Sequence, residues 1–349
     1  MNKRDPFFDI VKLLAVFMVV FRHVMFSSES LLFPITVANA TVGMNMPVFF
    51  IMSGWFAWPT IENSDWRKLG LHLKSYMWPT IVLTVFFACI EPFAVGSSWS
   101  LRDVFVLSAK RWLFGPWFIW TLCECYLMLF LCGCFARRYR RKGLFLASVG
   151  VGFALLMCVN CRFFFVSCLR SMFPYFLIGS FLRRSNVRPW EWKWLSIVFG
   201  VIFVSVVLVE GDARECGMSF YRAETSWSAF GSWNSCLTLF ARPIVGIMGS
   251  LSLMWLVKIA VDAAQKLTVG RVAVGFLSKG GGLTLAIYLL HQWILKQVVS
   301  QYPQFVATRG GVILLSVALF CLVWFLADLT MNRVGFLRKW LWGRSGRCG

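Results

Sequence analysis

Along the chain, apolar residues gather in ten runs, at approximately 8–26, 42–58, 76–95, 116–136, 143–160, 163–182, 194–210, 236–257, 281–299 and 310–330. Each is close to the roughly 17 to 25 residues a helix needs to cross a bilayer, and polar or basic residues fill the gaps between them. The pattern predicts an all-α fold, a polytopic membrane helix bundle of about ten transmembrane helices. No repeat of fixed period, low-complexity tract or soluble domain interrupts it. The longest connection, about Gly211 to Ser235, carries "EGDARE" and several aromatics, enough to lie over a cavity. A single membrane domain is expected over residues 1–349, its membrane part at about 8–330 and a basic tail at 331–349.

Composition sharpens this picture. Of 349 residues, 59% are hydrophobic and only 14% charged, which is too apolar for a soluble domain of this length. The net charge of +20 would suit nucleic acid if it lay on one face, but the basic residues sit in short clusters between apolar runs, so the expected partner is the lipid bilayer and not nucleic acid. With the N-terminus inside, the inner segments hold twenty-three Lys and Arg, among them "RRYRRK", and the outer ones eight. The positive-inside rule then puts both termini in the cytoplasm and makes the chain a multi-pass protein of the cytoplasmic (inner or plasma) membrane. The basic start "MNKRDPFF" precedes an apolar run with no small-residue cleavage site, so a retained first helix is expected. Most of the twelve cysteines fall inside apolar runs, where a thiol acts as a small hydrophobe. The pairs Cys123/Cys125 and Cys132/Cys134 point about 200° apart around a helix, so no metal site is expected.

Ionisable residues inside the runs are the candidates for chemistry, because each costs roughly 2.5 to 3.5 kcal/mol at the bilayer centre. In the first run, Lys12 and His23 are eleven residues apart, which is three turns plus about 20°, so they share one face about 16 Å apart along the axis. Asp9, three residues before Lys12, can pair with it; snorkelling at a cytoplasmic helix edge is the plainer alternative. A neutral imidazole at His23 can serve as a base or simply pack. His291, one turn from Tyr288 and beside Gln292, interrupts an apolar helix with a polar patch. Glu124 is an acid at membrane depth, read as a partner of Lys12, Arg242 or His23 or as a contact to an acceptor. Trp117 and Trp120 suit an interfacial belt or a platform for a sugar ring. Ser53 and Gly54 suit close helix contact, and His72 an interfacial position.

"FDIVKLLAVFMVVFRHV" resembles the opening helix of the acyltransferase 3 family of integral membrane O-acyltransferases, with an Asp, then an Arg or Lys, then ten residues, then a His. "MPVFFIMSGWF" (46–56), "GPWFIWTL" (115–122), "FPYFLIGSFLRR" (173–184) and "LTLAIYLLH" (283–291) follow in the family's order. The position where the family more often has Arg is Lys12 here. The resemblance implies a membrane acyltransferase that is acyl-CoA-dependent: an O-acetyltransferase moving an acetyl group from cytoplasmic acetyl-CoA to a hydroxyl of an envelope glycan or lipid-linked saccharide. No bound cofactor is implied, and acetyl-CoA is a substrate. His23 becomes the expected catalytic base. Lys12, Asp9, Glu124, His291, Tyr288, Trp117 and Arg242 are the expected donor- or substrate-binding residues. A transporter or flippase for a lipid-linked saccharide is the alternative. It has less support, since no Gly/Pro-broken helix pair in corresponding halves, inverted repeat or nucleotide-binding motif is visible.

Overall fold

The computed structural model describes residues 5–27, 32–95, 100–139, 142–158, 166–209 and 233–343. Over its described residues, each of the ten apolar runs is helical. In chain order they are α1 (Pro6–Phe26), α2 (Ile35–Glu62), α3 (Trp66–Val95), α5 (Trp117–Arg138), α6 (Lys142–Cys158), α7 (Val166–Arg184), α8 (Lys193–Val209), α9 (Trp233–Gln265), α11 (Thr284–Gln301) and α12 (Arg309–Asp328). Among the described residues, three further α-helices occupy segments expected as connections or tail: α4 (Leu101–Phe114), α10 (Thr268–Gly281) and α13 (Gly335–Trp342). The chain is a polytopic helical membrane protein. By length and composition α2, α3, α5, α9 and α12 can each cross a membrane, and the pair α10–α11 can do so as one bent span. α1 carries Asp9, Lys12 and Arg22, and α6 and α8 are apolar but short at 17 residues each.

α1 starts where the sequence dictates: the Asp5 side chain accepts from the Phe7 N–H at 3.0 Å, with Pro6 at the first helical position. Its apolar residues are buried almost all round, including Val11, Ala15, Val16, Val20 and Val24. The cause is its place in the bundle, packed by α2, α9, α10, α11 and α12. A helix enclosed on so many sides can hold charges that the lipid would reject.

α2 and α7 make the most intimate helix pair. A Cβ on Gly54 would overlap the carbonyl of Phe176, and one on Gly179 would overlap the carbonyl of Ile51. Ser180 Oγ donates to the Gly54 carbonyl at 3.0 Å. Small residues let these two backbones meet, the contact expected for Gly54.

α10 and α11 are bent by 69° at the run Gly280, Gly281, Gly282. Glycine is required here by proximity: a Cβ on Gly281 would strike the Asp9 backbone, and one on Gly280 would press on Trp324 and Leu13. This is a single glycine-broken pair; no matching break in the other half of the chain accompanies it among the described residues. On α10, Val269, Val272 and Phe276 stand exposed at i, i+3 and i+7, an apolar stripe suited to lipid.

Candidate active site

The Asp9–Lys12 pair forms, with Lys12 Nζ 3.3 Å from Asp9 Oδ1. Asp9 is 1% exposed, wedged against Gly281, so its carboxylate lies at the foot of the α10–α11 break. Lys12 also sits over the Phe56 ring at 5.0 Å from the centroid. Its ammonium borders a cavity of about 340 Å³ whose walls include Phe56, His72, Tyr126, Phe118, Gly282 and Tyr288. The cavity thus runs between α1, α2, α3, α5 and the start of α11, with a cation near one end and Tyr288 on its wall.

Beyond Tyr288 the two histidines meet. His23 and His291 have ring centroids 5.2 Å apart, and Tyr288 and His291 5.8 Å apart. His291 is fully buried, and its Nδ1 lies 2.7 Å from the Tyr288 carbonyl and 3.2 Å from that of Ile287. A carbonyl only accepts, so Nδ1 carries the proton and Nε2 the lone pair; Nε2 is buried without a partner among the described residues. His23 Nε2 faces Gln292 Nε2 at 3.2 Å. The amide nitrogen only donates, so His23 Nε2 holds a lone pair in this arrangement and Nδ1 the proton. Two imidazoles with unprotonated nitrogens, one reachable and one enclosed, can take a proton from a hydroxyl and return it.

A model of the acyltransferase 3 family, described as an acyltransferase domain, matches residues 5–328. The chain belongs to the acyltransferase 3 family. No curated protein and no solved structure matches it.

Several segments that resemble the acyltransferase 3 family converge on the site. α1 supplies Asp9, Lys12 and His23, α11 supplies Tyr288 and His291, and α5 supplies Phe118, which packs on Tyr288 at 5.0 Å and on Phe50 at 5.4 Å. Other expected site residues fall elsewhere. Glu124 pairs with none of Lys12, Arg242 or His23. It lies on the side of α5 opposite Leu122 and Tyr126, and both its oxygens are buried without a partner among the described residues. Two hundred degrees of helical rotation separate it from the cavity wall, so depth in the membrane was no guide to direction. Arg242 forms no ion pair among the described residues, and its carbonyl accepts from the Tyr175 hydroxyl at 3.4 Å. Trp117 packs on Phe118 at 6.2 Å without lining the cavity, and Trp120 Nε1 donates to the Trp112 carbonyl at 2.9 Å. His72, expected at an interface, lines the cavity and stacks on Tyr126 at 5.5 Å. Nothing in its local sequence marks this, since the stack depends on how α3 lies beside α5. The expected cover, 211–232, lies outside the described residues.

Proposed function

We propose that this membrane acyltransferase is an O-acetyltransferase, moving an acetyl group from cytoplasmic acetyl-CoA to a hydroxyl of an envelope glycan or lipid-linked saccharide. The observation that carries this reading is the Lys12 cavity, which leads from a cation to Tyr288 beside the paired histidines. Its volume of about 340 Å³ is at the lower end of the roughly 300 to 1,000 Å³ of small-ligand sites, enough for the acyl thioester arm and not the nucleotide of the carrier. Lys12 suits an anionic portion of the donor at the entrance, and the apolar walls exclude the water that would hydrolyse a thioester.

In this reading, His23 Nε2 accepts the proton of the acceptor hydroxyl as its oxygen attacks the thioester carbonyl carbon. A C–O bond forms, the C–S bond breaks, and the imidazolium returns the proton to the departing thiolate. His291 Nε2, beside it, offers a second lone pair within the same enclosure. The distribution of Lys and Arg supports cytoplasmic termini, an orientation in which Lys12 lies on the side where acetyl-CoA is made available.

The test is transfer of labelled acetyl from acetyl-CoA by the full chain in nanodiscs to an extract of envelope glycans, read by mass spectrometry. His23→Ala should insert and accumulate like the wild type and transfer nothing. Wild-type transfer by that variant would remove His23 from the chemistry.

A further inference from the structure

At the end of the bundle away from Lys12, three charges from three helices meet. Glu91 of α3, its side chain only 10% exposed, is held by Arg111 of α4 and by Lys296 of α11, the latter at 3.0 Å. Two cations on one carboxylate leave a net positive charge, and the Lys296 side chain remains 66% exposed. One turn inward, Phe87 stacks on Trp293 at 4.7 Å with the rings nearly parallel, joining α3 to α11. Lys296 lies four residues past Gln292, so both are on one face of α11, about 6 Å apart along its axis. Gln292 in turn contacts His23 Nε2. An exposed polar lane therefore leads from a cationic cluster, past an aromatic wall, to the proposed base, and it does so without entering the Lys12 cavity.

The Gln292 amide donates to the nitrogen that has to receive the proton of an alcohol. It occupies the position of the acceptor's O–H. We propose that the acceptor docks along this face of α11, its reacting hydroxyl displacing Gln292 from His23 Nε2, and that a carboxylate of the same saccharide meets Lys296 and Arg111 about one helical turn away. A carboxylate is indicated because the same two cations already grip one, that of Glu91, and an exposed excess of positive charge attracts a second anion. The acceptor is thus a uronate-type saccharide. The aromatic wall offers its sugar ring an apolar face. Donor and acceptor approach His23 from opposite ends of the bundle, which keeps the thioester away from bulk water until the alcohol arrives.

This rests on His23 as the base, and the experiment separates the two. The full chain in nanodiscs is treated with diethyl pyrocarbonate, and carbethoxylation of His23 is followed by peptide mass spectrometry. Gln292→Ala should speed modification several-fold by uncovering Nε2. Methyl glucuronide should protect His23 in the wild type, methyl glucoside at least tenfold less well, and Lys296→Met should raise the half-protecting glucuronide concentration at least tenfold. Lys296→Arg should restore protection, and Arg111 still holds Glu91 in both variants. Equal protection by the neutral glucoside, better protection by glucose 1-phosphate, no protection by any of the three, or an unchanged Lys296→Met would each overturn the proposal. If His23→Ala is inactive in acetyl transfer while these effects are missing, only the docking site falls; if His23→Ala is active, the base assignment itself falls.

Discussion

The charge on Lys12 has two tasks open to it, and its contacts separate them. It pairs with the buried Asp9, which a purely structural ion pair would also do, but its ammonium borders the cavity and lies over Phe56, where an anion entering would meet it. Lys12→Met keeps the length and removes the cation. It should raise the apparent KM for acetyl-CoA by roughly 10- to 150-fold, the equivalent of about 1.5 to 3 kcal/mol for a charge-assisted hydrogen bond. Lys12→Arg should keep much of the affinity, with some loss from its bulkier planar head. Asp9→Asn combined with Lys12→Met discriminates further, since removing both charges relieves a structural pair and does nothing for a donor site. Wild-type donor affinity in that double variant, measured by acetyl-CoA titration, would assign Lys12 to helix support alone.

The glycine break between α10 and α11 is what lets α1 carry its buried acid. Gly281 abuts the Asp9 backbone, and Gly280 lies under Trp324 and against Leu13, so the chain turns by 69° in the space beside the first helix. Adding one methyl group, Gly281→Ala, forces backbone against backbone with no flexible side chain to yield. It should cost about 1 to 3 kcal/mol, the usual range for overpacking, and lower the melting midpoint in detergent. Because Asp9 orients Lys12, acetyl-CoA affinity should fall with it. Gly275→Ala on the same helix, where a Cβ meets nothing within 4 Å, is the control and should melt like the wild type. α4 shows a second route by which an element escapes a hydropathy reading. It is too short and mixed to read as a span, yet Ser100 and Asp103 form a capping box at its start, a signal present in the sequence. The Ser100 hydroxyl and the Ser100 backbone N–H both donate to the Asp103 carboxylate and hold it below the ordinary aspartate range.

For the bundle as a whole, the donor and acceptor routes depend on which end faces the cytoplasm. With both termini inside, a cysteine at Tyr139, at the end of α5, should react with a membrane-impermeant maleimide only after cells are opened. One at Gln304, between α11 and α12, should react from outside intact cells. Both positions are exposed, so lack of reaction cannot come from burial. The native cysteines need to be replaced first. Labelling at Tyr139 from outside would invert the bundle and place Lys12 away from the cytoplasmic side proposed for the donor.

The sequence by itself determined that the chain is a polytopic helical membrane protein, which apolar stretches are helical, and to which family it belongs, because hydropathy and spacing along one helix are local properties; by length and composition five of the described helices, or six with the bent pair, can cross a membrane. The Asp9–Lys12 pair was legible for the same reason, being three residues apart on one helix. Lys296 stood in the apolar run 281–299, and an ionisable residue there is a signal in its own right. Its meeting with Glu91 and Arg111 was decided only by the tertiary structure, as were the approach of His291 to His23, the turn of His72 into the cavity and the isolation of Glu124. Each depends on the rotation of one helix against another. A helix apolar on every side gives hydropathy no direction, so that rotation is fixed by side-chain packing and by close contacts such as Gly54 on Phe176 and Gly281 on Asp9.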